Sequence, residues 1–237
     1  MHAHPIHMIS GPRNMSTAIM YAFAQHPDLE VIDEPFYAVY LKRTDKAHPG
    51  RELVLAQMPD SVPEVLKTLQ PSQMGKRMFV KDMAHHLGVI ADLDWIRAHH
   101  VIHLIRHPAK MVASLQKVIP QPTIQDLGLK DQYALFVRLL AMGIPQLVID
   151  SEEILKNPAA GLRRMCAFSG IPFSENMLNW QAGPKPYDGV WAPWWYSGVH
   201  KSTGFKPQET TTTEIAPEHL EVYELGLMYY EKMTQNK

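Results

Sequence analysis

The chain is nearly devoid of cysteine. Cys166 is the only one in 237 residues, so no internal disulfide can form and folding does not depend on oxidation. It falls in the helical run Leu162–Phe168, where a small buried hydrophobe is the simplest role. An excess of charge is missing too: 23 basic residues face 24 acidic ones, a formal net charge of −1. That excludes a global basic field for nucleic acid or an anionic membrane, and leaves anion binding to local arrangements. No apolar run approaches the ~20 residues a bilayer span needs. The first strand is expected close to Met1, which predicts no secretory leader and a cytoplasmic protein. The 13 histidines come in alternations and pairs (His2, His4, His7; His85, His86), none in an HExxH frame. With one cysteine, a Cys-based zinc site is excluded as well, and no metal is expected.

What is present is ample apolar material, 46% of residues, enough for one domain spanning 1–237. Short apolar runs predict strands at Ile6–Ile9, Glu30–Asp33, Met78–Lys81, Val101–Ile105 and Gln146–Ile149. Helical patterns separate them, beginning with Ser16–Gln25. Alternation of this kind predicts an α/β three-layer sandwich around a mainly parallel sheet. Ligands of such sheets bind beyond the carboxyl ends of the strands. Leu41–Val62 reads as a long excursion and candidate lid. The tryptophan-rich Tyr187–Phe205 has no period, and Pro217–Met233 reads as a last helix. Met58, Met74, Met78 and Met83 read as core filling.

After the first strand come Ser10-Gly11-Pro12-Arg13-Asn14-Met15-Ser16-Thr17 and a helix. A helix start aims unpaired amides and a dipole at one point, a natural anion site. Arg13 adds a fixed charge with directed N–H groups, and Ser16 and Thr17 add hydroxyls. The same hydroxyls would also make an ordinary N-cap. The loop is not GxxxxGK[ST], which argues against a common ATPase or GTPase. After the fourth strand, Arg106 stands at the ligand edge, Pro108 can start a helix, and Ser114 lies two turns along it. Arg106-His107-Pro108 also invites comparison with histidine phosphatases, which instead carry Arg-His-Gly after the first strand.

Taken in order, these motifs resemble those of the sulfotransferase family. Pro12, Arg13, Asn14, Met15, Ser16 and Thr17 fall on the family's 5′-phosphosulfate loop, with Met15 where glycine is usual. Arg106 and Ser114 fall on its 3′-phosphate segment. Asp150–Pro158 resembles its acidic strand-to-helix stretch, and Arg163–Trp180 the helical segment downstream. His200, Lys201, Ser202 and Gly204 resemble its C-terminal basic loop over the 3′-phosphate. The resemblance implies a P-loop NTPase-like sandwich of sulfotransferase type. It also implies 3′-phosphoadenosine 5′-phosphosulfate as co-substrate, transfer without metal, and a small-molecule hydroxyl or amine as acceptor, with neither nucleic acid nor membrane as partner.

Two settings offer the base. Glu34, in Asp33-Glu34-Pro35-Phe36, resembles a catalytic glutamate in a Glu-Pro-Phe context. Lys81, followed by His85 and His86, loosely resembles a Lys-Thr-His segment that supplies a sulfonate contact and a histidine base. Glu34 is preferred, with His85 or His86 the alternative. A carboxyl needs burial to raise its pKa for this work, whereas histidine is suited near neutrality. The rival functions are a catalytically silent nucleotide-binding module, a P-loop kinase-like phosphotransferase, and an interaction protein that keeps only the fold.

Overall fold

The structure, a computed structural model, describes residues 4–69, 75–206 and 214–235; His2 and Met74 lie outside them. Among the described residues the strands are β1 (Ile6–Ser10), β2 (Leu29–Asp33), β3 (Arg77–Met83), β4 (His100–Ile105) and β5 (Gln146–Asp150). Each expected strand is present, extended by one to three residues. All pairings are parallel, in the order β2-β3-β1-β4-β5. The helices are α1 (Ser16–Phe23), α2 (Tyr37–Arg43), α3 (Arg51–Gln57), α4 (Val62–Thr68), α5 (Ala84–Gly88), α6 (Pro108–Leu115) and α7 (Ile124–Leu127). They continue with α8 (Leu129–Ala141), α9 (Ser151–Lys156), α10 (Pro158–Ser169), α11 (Ala192–Trp195), α12 (Ser197–His200) and α13 (Leu220–Thr234).

Strand alternation builds two cores. Ile6 and Met8 of β1, Phe79 of β3, and Ile102 and Leu104 of β4 pack against Ile19, Met20 and Phe23 of α1 and Leu162, Met165 and Cys166 of α10. The opposite face sets Ile9, Val80 and Val101 against Val65 of α4, Leu87 of α5 and Leu135 and Leu139 of α8. Each such buried aliphatic or aromatic side chain contributes roughly 1.5–3 kcal/mol. Cover on both faces explains why the strands are dominated by apolar residues, with a few buried polar side chains such as His7 and His103 among them. Cys166 is buried, as its run predicts.

The expected lid is different. Leu41–Val62 is not an irregular excursion: it contains the end of α2 and the whole of α3, and α4 starts at its last residue. Only Val54 of α3 is buried, so the segment carries no apolar period for the sequence to display. Tyr187–Phe205 likewise contains two short helices, α11 and α12. Among the described residues no helix is long and apolar enough to cross a membrane.

Connections from β1 run toward β2 and β3, whereas β4 and β5 lie on its other side. The crevice between the carboxyl ends of β1 and β4 is therefore the topological switch point, where ligands of open parallel sheets bind. Both candidate phosphate segments leave the sheet there.

Candidate functional site

The first loop is held by its own side chains. Asn14 is buried and its Nδ2 donates to the Leu104 carbonyl of β4 at 3.1 Å, so only its backbone is available to a ligand. Arg13 and Met15 both adopt left-handed backbone, φ 62° and 56°. Met15 thus takes the conformation in which glycine carries no steric cost, and its side chain packs against the α1 core. Met15 is also the N-cap of α1 and makes no side-chain cap. The hydroxyls of Ser16 and Thr17 therefore do not act as the ordinary N-cap. The first helical bond runs from Ile19 N to Met15 O, so the amides of Ser16, Thr17 and Ala18 stand ahead of the ladder.

Beneath the loop, two glycines permit close approach. A Cβ on Gly11 would stand 2.8 Å from the Leu127 carbonyl, and one on Gly128 would stand 2.9 Å from Pro12 Cδ. Gly128 joins α7 to α8 at φ 68°, which glycine adopts without strain.

The structure brings the two candidate phosphate segments together. Arg106 donates through Nη1 to the Arg13 carbonyl at 2.7 Å, and Arg13 Nε donates to Ser114 Oγ at 2.9 Å. Two guanidiniums and a hydroxyl from widely separated positions thus meet at the switch point. Burial holds the Arg106 guanidinium below its ordinary value; Glu152 opposes the shift and Arg13 adds to it. A polyanion entering here would offset the mutual repulsion of the arginines.

The C-terminal loop is anchored to α1 by a different set of contacts. His200 Nε2 pairs with Asp188 at 2.9 Å, and Asp188 accepts from the Tyr21 hydroxyl of α1 at 2.6 and 2.8 Å. Ser202 Oγ donates to the Val199 carbonyl and accepts from Trp180 Nε1 at 3.1 Å. Gly204 bridges to Asn179, and Lys201 is exposed.

A second group occupies the ends of β2 and β3. Lys81, 1% exposed, donates to Asp33 Oδ1 at 2.9 Å, to Glu34 Oε1, and to the Tyr196 hydroxyl at 2.9 Å. An ammonium has three donors, and all three are engaged. Glu34 sits at φ 43°, with its amide donating to the Lys81 carbonyl. Burial raises the Glu34 carboxyl, Lys81 pulls it down and Asp33 pushes it up; the outcome is about 7. His86 Nδ1 stands 3.8 Å from Glu34 Oε2, too far for a hydrogen bond. Tyr37 stacks on the His86 ring at 4.6 Å. His85 lies beside Tyr40 at 4.9 Å between ring centroids. Burial lowers both imidazoles, His85 to about 3 and His86 well below its ordinary value.

Glu34, Lys81 and His86 are therefore neighbours, as are Arg13, Arg106 and Ser114. Sequence reasoning did not single out Asp33, Tyr196 or Asp188. Asp33 was signalled only by its adjacency to Glu34, and no local pattern marks the other two.

A five-stranded parallel sheet covered by helices on both faces, with a strand–loop–helix at its switch point, defines a P-loop-like fold. The chain belongs to the sulfotransferase family, whose sulfotransferase-domain model matches residues 5–236. The sulfotransferase domain of the Synechococcus PCC 7002 olefin synthase shares the fold, with a TM-score of 0.58 at 18% identity over 97% of this chain and 95% of that one. A sulfotransferase from Alicyclobacillus acidocaldarius gives 0.56 at 14% identity, covering 98% and 96%. The Arabidopsis thaliana branched-chain-amino-acid aminotransferase-like protein 1 is 40% identical over 228 residues, 95% of this chain. The chain spans 40% of that relative's length.

Proposed function

We propose that this chain transfers a sulfuryl group from 3′-phosphoadenosine 5′-phosphosulfate to a hydroxyl or amine of a small molecule. The observation that carries the reading is the Arg106–Arg13–Ser114 contact at the start of α1. It supports two anion subsites side by side: one on the amides of Ser16 and Thr17 for the 5′-phosphosulfate, one on Arg106 and Ser114 for the 3′-phosphate. Pro12, Asn14 and Met15 shape the first through their backbone. His200, Lys201, Ser202 and Gly204 would border the second, with Lys201 the exposed cation.

In the proposed reaction the acceptor oxygen or nitrogen forms a bond to sulfur as the bridging S–O bond breaks. The bridging electron pair leaves with the 5′-phosphate of 3′-phosphoadenosine 5′-phosphate, where Arg13 and the loop amides stabilise it. The acceptor proton goes to Glu34. A carboxyl titrating about 7 is matched to proton transfer near neutrality, whereas an imidazole lowered to about 3 is too weak a base. Lys81 would keep Glu34 in place, and could contact the sulfonate only by releasing one of its three acceptors.

The test is a thermal shift with 3′-phosphoadenosine 5′-phosphate beside ADP and ATP, without metal. At a hundredfold excess over Kd, binding should add about 2.7 kcal/mol, roughly 5–10 °C for this size. A rise with the 3′-phosphorylated nucleotide alone supports the donor assignment. A rise with ATP alone would replace it by phosphotransfer, and no rise at all would remove it.

A further inference from the structure

Asp33 and Tyr196 have no part in the roles above, yet both are buried against Lys81. Asp33 Oδ1 accepts from Lys81, while Oδ2 accepts from the Tyr196 hydroxyl at 2.7 Å and from the Gly189 amide at 3.1 Å. The Tyr196 hydroxyl has one proton and two lone pairs. Its proton goes to Asp33, and its oxygen accepts from Lys81 at 2.9 Å and from Trp191 Nε1 at 3.1 Å. One buried cation is thus divided between two carboxylates and a phenol.

Had Lys81 faced Glu34 alone, an undivided buried ion pair would hold that carboxylate ionised well below neutrality. So strong a pairing makes a poor base. The groups around Glu34 come from every neighbouring element: Asp33 from β2, Lys81 and Asp82 from β3, Tyr37 from α2, His86 from α5, and Tyr196 from the turn between α11 and α12. Among the groups acting on its charge, Lys81 is the cation and Asp33 the largest opposing one. Trp191 in turn packs edge-on against Tyr37 at 4.9 Å between ring centroids. The hydrogen-bonded route from Trp191 to Glu34 nonetheless runs through the Tyr196 hydroxyl and Lys81.

We propose that Asp33 and Tyr196 are positioning residues: they divert part of the Lys81 charge from Glu34, leaving its carboxyl able to exchange a proton, and they couple that state to the tryptophan-rich segment. The catalytic consequence rests on Glu34 being the base of the proposed reaction; the titration itself does not.

The test follows the Glu34 carboxyl by ¹³C NMR in the full chain, without nucleotide or acceptor. The resonance is assigned with Glu34→Gln and titrated from about pH 5 to 9, spanning the raised value. In Asp33→Asn both the competing acceptor charge and the direct repulsion are lost. The midpoint should fall by about one unit or more, tenfold in the acid constant. An unchanged midpoint would overturn the role of Asp33. The Trp191 indole N–H, assigned with Trp191→Phe, should titrate with the Glu34 midpoint in the wild type. In Tyr196→Phe it should stop doing so while Glu34 still titrates; continued tracking would overturn the coupling. Tyr196→Phe removes a single oxygen and keeps the test open if Asp33→Asn does not fold. Once an acceptor is in hand, the acid limb of kcat/KM in Asp33→Asn should move by the same amount, which a merely structural role would not produce. Normal binding of 3′-phosphoadenosine 5′-phosphate with an unmoved Glu34 midpoint removes this proposal alone. Lost binding with the expected titrations removes the transferase reading alone.

Discussion

Replacing Gly128 by alanine is expected to weaken the proposed phosphate loop from a position far along the chain. Two costs separate cleanly, because Gly143 supplies a control. Both glycines are left-handed, φ 68° and 72°, so alanine at either carries a backbone cost of about 1–2 kcal/mol. Reduced freedom of the unfolded chain returns about 0.4–1 kcal/mol. Gly143 has nothing within 4 Å of its added Cβ. Gly143→Ala should therefore lose about 1 kcal/mol, roughly 2–4 °C in Tm, with nucleotide affinity unchanged. At Gly128 the new carbon would stand 2.9 Å from Pro12 Cδ and 3.4 Å from Gly11 Cα. Relieving that overlap adds about 1–3 kcal/mol and moves the loop that presents Arg13 and the Ser16 amide. Gly128→Ala should lose roughly 4–16 °C and about tenfold or more in affinity for 3′-phosphoadenosine 5′-phosphate, corresponding to about 1.4 kcal/mol. Calorimetry on both variants, with titration of the nucleotide, makes the comparison. Equal losses of Tm with unchanged affinity in both would refute the claim that Gly128 supports the loop.

Arg106→Ala should cost 3′-phosphoadenosine 5′-phosphate about 10–100-fold in Kd, the range of charge-assisted hydrogen bonds, and ADP far less. Equal losses in isothermal titration would mean that Arg106 only props the Arg13 carbonyl. The raised Glu34 carboxyl predicts a pH dependence of stability. Its proton is held in the folded state up to about 7 but released near 4.5 when unfolded. The favourable contribution is thus complete below pH 4.5 and is lost as pH rises to 7, about 3 kcal/mol in all. The buried histidines act in the opposite direction, so the measurement is the difference between wild type and Glu34→Gln in denaturant titrations at several pH values. A difference that does not vary between pH 4.5 and 7 would remove the assignment. Met15→Gly relieves left-handed strain of about 1 kcal/mol but loses core contact of similar size. Tm should stay within about 3 °C and donor affinity should be unchanged; a large gain in affinity would mean that Met15 distorts the loop.

Much of the architecture can be read along the chain, and the reason is local. A strand buried on both faces is dominated by apolar residues, so Ile6–Ile9 or Val101–Ile105 announces itself within five positions even with one buried histidine in each, His7 and His103. Helices with few buried residues do not. Val54 alone anchors α3, and a single apolar position has no period. The candidate phosphate loop and Arg106 are marked by residue type and order, whereas the contact between them depends on which strands become neighbours.

The sequence alone determined that the chain forms a parallel α/β layer structure with two candidate anion segments at strand ends, because buried runs, prolines, hydroxyls and arginines act at short range. Only the tertiary structure decided that β1 and β4 lie side by side, that Arg106 meets Arg13, and that Lys81 is divided among Asp33, Glu34 and Tyr196. It also set the Glu34 carboxyl above, and the His85 and His86 imidazoles below, their ordinary proton affinities, chiefly through burial. These are properties of distance and solvent exclusion, and they exist only after the chain has folded.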